Sequence, residues 1–299
     1  MNVEAHHEAP ARPLPRKPPR RRATASDVRT AVFSFSGHAP DHRRVIEQAI
    51  AERDECRDLV RHASDVLGRD LRAGSDDARD VQVGVFLATH LHMTMLEQRG
   101  LVAEHSLGMS LGEYNHLVHI GALAFEDALR IVEARGKLFE EACIGRMVSI
   151  APLPSRVIER AITALQLEHR VAIGIYLARG HHVLSGDAAA IDELVRSLGA
   201  RHRFRSNVVE PRMALHESRL SMIGCRLSAI LDTFPFATPR RPYVPNVRGA
   251  IYEPGSVDAS LVRRCLALQT YRPVRWCSSK EAIIAAVPDA FFVGVGPQP

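Results

Sequence analysis

The run Gly108-Met109-Ser110-Leu111-Gly112 joins a short apolar, strand-like stretch to a helix-like one that continues from Ser110 past Leu117. Few local patterns constrain a fold more. A strand can turn into a helix this tightly only where the flanking residues carry no side chain, and the serine between them is then held in a strained turn with Oγ exposed. The N–H that follows, here that of Leu111, and the helix N-terminus face the position where an oxyanion would develop. A second serine lies four residues upstream in His105-Ser106-Leu107-Gly108, but Glu104 stands where a glycine is needed and Ser106 falls inside the strand. Ser110 is therefore the candidate nucleophile. A serine nucleophile needs a base, and spacing alone does not choose one among the 15 histidines.

The rest of the chain reads as strand–helix alternation around a compact insert. Order begins near Arg29, with a β-prone run at residues 31–35 broken by Ser36-Gly37-His38-Ala39-Pro40, and a helix is expected over about 41–52. Residues 81–98 carry Val81, Val85, Phe86, Met93 and Leu96 at helical intervals. From 147 to 209 the expected order is β-α-β-β-α-β, with Asp187 capping the second helix, which is the order of a ferredoxin-like unit. A helix with Leu220, Ile223, Leu227, Ile230 and Leu231 on one side follows, then alternating short strands and helices to residues 291–295. Alternation on both sides of the insert implies an α/β core with a mainly parallel sheet.

Composition excludes more than it selects. The 299 residues are 46% hydrophobic and 24% charged, as in an ordinary globular protein. No stretch approaches a membrane span, and no export signal opens the chain, so a cytoplasmic protein is expected. Residues 1–28 read as a disordered tail rich in Pro and Arg. Residues 1–30 hold seven basic side chains against Glu4, Glu8 and Asp27, and so nearly all of the net charge of +5. The nearly neutral remainder argues against a nucleic-acid partner. The five cysteines (Cys56, Cys143, Cys225, Cys265, Cys277) form no CxxC pair, so no metal site is expected and the thiols should be reduced and mostly buried.

A family resemblance decides what the motif leaves open. The segment from Gly108 to Ala142, GMSLGEYNHLVHIGALAFEDALRIVEARGKLFEEA, resembles the nucleophile region of the malonyl-CoA:acyl carrier protein transacylases and the related acyltransferases of polyketide synthases. Further likenesses follow in order. Phe35-Ser36-Gly37-His38-Ala39 stands where the family has F-P-G-Q-G, Val183-Leu184-Ser185-Gly186 resembles VVISG, and Ala214-Leu215-His216-Glu217-Ser218 resembles AFHS. Residues 269–276, QTYRPVRW, resemble Q-x-x-x-PVRW, and residues 293–297 resemble the terminal EVGP.

The resemblance spans residues 30–297 and implies an α/β-hydrolase-like core (29–145 and 211–299) with a ferredoxin-like subdomain (146–210). It further implies Ser110 as the acyl-accepting nucleophile and His216 as general base. Leu111 and His38 would supply oxyanion-hole N–H groups, and Arg135 and Gln269 would be the substrate-site residues. Arg135 would grip the malonyl carboxylate, and Gln269 would also help to hold His216. A bland alternative for Arg135 is a helix-surface partner of Glu133 or Glu140. The implied reaction moves a malonyl group from malonyl-CoA through a serine ester to the phosphopantetheine thiol of an acyl carrier protein, in fatty acid or polyketide biosynthesis, with no cofactor of its own. The basic tail would then steer toward an acidic carrier. Met109 replaces the family's usual His, and His38 its Gln. A thioester hydrolase that clears carrier proteins and a non-catalytic carrier-binding module are the rival readings.

Overall fold

The computed structural model describes residues 29–37, 41–73, 75–142 and 144–297. The expectations placed on the tail 1–28, on His38 and on Cys143 lie outside the described residues.

The chain is an α/β protein whose central sheet is short and wholly parallel. Strand β1 (Thr30–Phe35) lies between β2 (His105–Gly108) and β7 (Ala290–Val295). Phe35 pairs with both Gly108 and Val295, so the three strands end side by side and whatever follows them meets at one edge. A parallel sheet is covered on both faces, and its strands are accordingly almost continuously apolar: Val32, Phe33, Phe35 and Leu107 are fully buried.

Helices α1 (His42–Glu52), α2 (Asp54–Leu67) and α3 (Ala78–Gln98) separate β1 from β2. Helices α1 and α3 fall where the sequence predicts them, whereas α2 is not predicted, because its buried stripe of Cys56, Val60 and Ala63 is narrow and weakly apolar. Helices α4 (Gly112–His119) and α5 (Phe125–Ala142) follow β2, and α5 packs along α3 through Leu129, Val132 and Phe139. After the insert come α8 (Ser221–Leu231), α9 (Ala259–Tyr271) and α10 (Trp276–Ala286). Of the alternating short strands expected from α8 to residues 291–295, only β7 is present among the described residues. Between α8 and α9 a single bridge joins Tyr243 to Tyr252, because Pro235, Pro239, Pro242, Pro245 and Pro254 remove the donors a ladder needs.

The insert follows its expected order: β3 (Arg146–Ala151), α6 (Ser155–Ala164), β4 (Val171–Ala178), β5 (His181–Gly186), α7 (Ala188–Gly199) and β6 (Arg205–Glu210). Its strands lie in the order β4-β5-β3-β6, all antiparallel. Asp187 caps α7 by accepting from the Ala190 N–H at 2.9 Å. The unit has its own core of Val148, Ile150, Ile158, Ile173, Leu184 and Leu194. It is stitched to the rest where Tyr176 N donates to Val274 O and Val274 N to Gly174 O, each at 2.9 Å. The described cysteines are free thiols: Cys56 and Cys265 are buried, Cys277 is half-buried, and Cys225 departs from expectation in being exposed. No helix among the described residues is long and apolar enough to cross a membrane.

Candidate active site

Sterics build the site first. A Cβ on Gly108 would sit 2.0 Å from the Gly112 carbonyl oxygen, and one on Gly112 would sit 2.5 Å from that of Phe35. Neither contact is possible, so both outer positions of the motif must be glycine. Between them Ser110 has φ +51°, a left-handed conformation that costs a non-glycine residue strain. The helix begins at Gly112 rather than at Ser110 as the sequence suggested.

Asn246, from the proline-rich segment before α9, spans this turn. Its Oδ1 accepts from the Ser110 N–H at 2.6 Å and its Nδ2 donates to Gly108 O at 2.6 Å. The Ser110 N–H is thereby occupied. The N–H of Leu111 has no acceptor among the described residues.

His216 arrives from the chain that leaves the insert, also left-handed at φ +62°, just before a short 3₁₀ turn at Ser218–Leu220. Its Nε2 is 2.7 Å from Ser110 Oγ, and its Nδ1 is 2.7 Å from the main-chain carbonyl of Gln269 on α9. A carbonyl can only accept, so the ring proton sits on Nδ1 and Nε2 is left to take the serine proton. Burial, helped by the charge of Arg135 and opposed by the Gln269 carbonyl, pushes the imidazole pKa down to about 4. The ring is therefore neutral at physiological pH, as a base must be. Gly174 of β4 packs beside it, its would-be Cβ 3.7 Å from that of His216.

The Gln269 side chain is buried and turned toward protein. Its Nε2 donates to Ser110 O at 2.9 Å and to Glu113 Oε2 at 2.5 Å, and the residue is fully buried. Of the two roles implied for Gln269, holding the histidine falls to its backbone carbonyl.

Arg135 on α5 is only 1% exposed, which removes the surface-pair alternative. Glu133 instead pairs with Arg69 and Lys137, and Glu140 accepts from the Arg79 N–H. The Arg135 guanidinium donates to Gln82 Oε1 on α3 and lies 4.4 Å from the centre of the Phe139 ring. A charge buried this deeply normally serves a partner of opposite sign, and its flat fork suits a carboxylate.

Sequence reasoning missed Gln82, Glu113, Tyr243 and Asn246. Glu113 lies within the quoted motif region, whereas the other three come from distant segments and carry no local signal. The upstream serine, Ser106, lies within β2 and is fully buried, with Oγ 2.7 Å from His116 Nδ1 and 2.8 Å from His119 Nδ1. A cavity of about 640 Å³ along α2 and the segment after it is lined by Arg57, Arg61, Arg69 and Arg72, but these already pair with acidic neighbours.

The family model described as "Acyl transferase domain" matches residues 43–298. A malonyl CoA-acyl carrier protein transacylase of Staphylococcus aureus strain MW2 is 30% identical over 218 residues, covering 71% of this chain and 68% of the relative. Its counterpart in Salmonella typhimurium is 27% identical and covers 88% of each chain. The crystal structure of the enzyme so named from Burkholderia pseudomallei superposes with a TM-score of 0.78 at 26% identity, over 91% of this chain and 94% of that one. By sequence and by fold, this chain is a member of the acyl transferase domain family, that of the malonyl CoA-acyl carrier protein transacylases.

Proposed function

We propose that the protein transfers a malonyl group from malonyl-CoA to the phosphopantetheine thiol of an acyl carrier protein through an ester on Ser110. The observation that carries this reading is the 2.7 Å approach of Ser110 Oγ to His216 Nε2 within a family of acyl transferases. His216 takes the Oγ proton as Oγ attacks the thioester carbon, and the negative charge moves onto the carbonyl oxygen. The Leu111 N–H, joined in this reading by that of His38, stabilises that oxygen. The C–S bond then breaks, His216 returns the proton to the departing sulfur, and coenzyme A leaves. The carrier thiol enters, loses its proton to His216, attacks the Ser110 ester, and releases Oγ as the proton goes back.

Arg135 holds the free carboxylate of the malonyl group, its fork oriented by Gln82 and Phe139. Its retention and burial favour transfer of dicarboxylic acyl units over hydrolysis of simple ones. The strand order β4-β5-β3-β6 supports reading residues 146–210 as a ferredoxin-like subdomain, and the parallel sheet supports an α/β-hydrolase-like core in 29–145 and 211–299. A cytoplasmic setting, in fatty acid or polyketide assembly, is part of the same reading.

Incubation with malonyl-CoA followed by intact and peptide mass measurement tests it. The expected result is one malonyl adduct on Ser110, lost on addition of a holo carrier protein. An intact fold with no adduct would sink the reading.

A further inference from the structure

Glu113, one residue past the elbow glycine, is fully buried. Its Oε1 accepts from the Tyr243 hydroxyl at 2.6 Å, and its Oε2 from Gln269 Nε2 at 2.5 Å and from the Asn246 N–H at 3.3 Å. Each of the last two donors belongs to a residue that holds the reacting pair. Gln269 grips Ser110 O with its side chain and His216 Nδ1 with its carbonyl, while Asn246 ties Ser110 N to Gly108 O. A buried carboxylate without a hydrogen-bonded cation is costly, and three convergent donors are what make it tolerable.

We propose that the Glu113 carboxylate is the positioning residue that holds the Ser110 elbow and the His216 acceptor in register, and that the site is competent only while this carboxylate is ionised. The inference rests on the reading of Ser110 as the acyl-accepting serine. When Glu113 takes a proton, which Oε1 can hold while the Tyr243 hydroxyl turns to accept it, the group loses the negative charge that strengthens the bonds it accepts from Gln269 and Asn246. The grip on Gln269 and on Asn246 is then weakened, and with it the alignment of Oγ and Nε2.

The surroundings bear on the pH at which this happens. Tyr243 and Cys265 face the carboxylate from the proline-rich segment and α9, Arg135 acts from α5, and Tyr114 lies next along α4. Burial pushes the Glu113 pKa up to about 7, against the pull of the three donors and of Arg135. Tyr114, Tyr243 and Cys265 are all raised, and so stay neutral there. His216, pushed down to about 4, titrates well below it.

The test is the rate at which a serine-directed fluorophosphonate labels Ser110 between pH 5.5 and 9, a reaction that needs no malonyl group. In the unaltered protein the rate should fall about tenfold one pH unit below the Glu113 transition. E113Q should label roughly tenfold more slowly on the plateau and lose that limb. Y243F removes one donor from the carboxylate, so its limb should move to higher pH, and it carries the test if E113Q fails to fold. In steady-state transfer E113Q should lower kcat and leave KM for malonyl-CoA close to its original value. A limb that neither substitution moves overturns the inference, and so does a rate that is flat across the range in the unaltered protein. Protein that is labelled normally but takes no malonyl adduct would instead count against the transfer reading alone.

Discussion

Two serines four residues apart each touch a histidine at about hydrogen-bond length, yet their surroundings differ in every respect that matters for reactivity. Ser106 sits in regular strand β2. The Val244 N–H donates to His116 Nε2 at 3.0 Å, so His116 carries its proton on Nδ1 and donates to Ser106 Oγ, which in turn donates to His119. That chain ties β2, α4 and the segment before α9 together, with Oγ fully enclosed. Ser110 stands on a left-handed turn at φ +51°, and its histidine is left-handed too, at φ +62°. Its Oγ meets an imidazole nitrogen that lacks the proton. A Ser–His contact is a brace or a nucleophile according to which nitrogen carries the proton and whether the serine sits in a regular strand or on a left-handed turn.

Substitutions at the two serines separate the roles most sharply. Ser110→Ala should abolish the malonyl adduct, and His216→Ala should slow acylation by about 10²–10⁴. Ser106→Ala should leave acylation almost unchanged, and a large loss there would erase the contrast. At the next level, Arg135→Ala should raise KM for malonyl-CoA by roughly 10–100-fold through loss of a charged hydrogen-bonding partner, while acetyl-CoA should be affected much less. An equal effect on both acyl groups would make Arg135 a structural residue like the brace. The brace itself should answer in stability: Ser106→Ala leaves His119 Nδ1 without its donor and should cost about 1–3 kcal/mol in urea unfolding.

Acid should weaken the folded state through both regions. Burial pushes His116 down to about 3, and His119, His216 and His90 down to about 4. For these groups the folded pKa lies below the unfolded one. Their contribution is complete above about pH 6.5 and is lost as pH falls toward 4, because the unfolded chain binds the protons more readily. Glu113 runs the other way: its folded pKa is raised, so its contribution is largest below about 4.5 and disappears as pH rises through about 7. Four histidines outweigh one carboxyl, so the urea midpoint should fall between pH 7.5 and 5. A constant midpoint would show that these rings are protonated in the fold or are not buried.

Much of this was legible in the chain. The strict spacing of glycines around Ser110 reports a contact between backbones, and the 2.0 Å and 2.5 Å clashes that a Cβ would create show why. The order of elements in 146–210 was legible because alternation and a capping Asp187 are local signals. Helix α2 was missed for its weak stripe, and of the strands expected after α8 those before α9 were overruled by prolines. Arg135 could be marked by resemblance, but its burial against Phe139 and Gln82 depends on how α3 and α5 pack.

By itself the sequence determined that an α/β chain carries a serine on a strand-to-helix elbow, since glycine spacing and hydrophobic period are properties of neighbouring residues. Only the tertiary structure decided which histidine faces that serine, which nitrogen carries its proton, and that one buried carboxylate gathers Tyr243, Asn246 and Gln269 around it. The physical reason is separation along the chain. Ser110, His216, Asn246 and Gln269 have no local interaction to record their meeting, and they come together because the parallel strands end at one edge and the insert returns His216 to it.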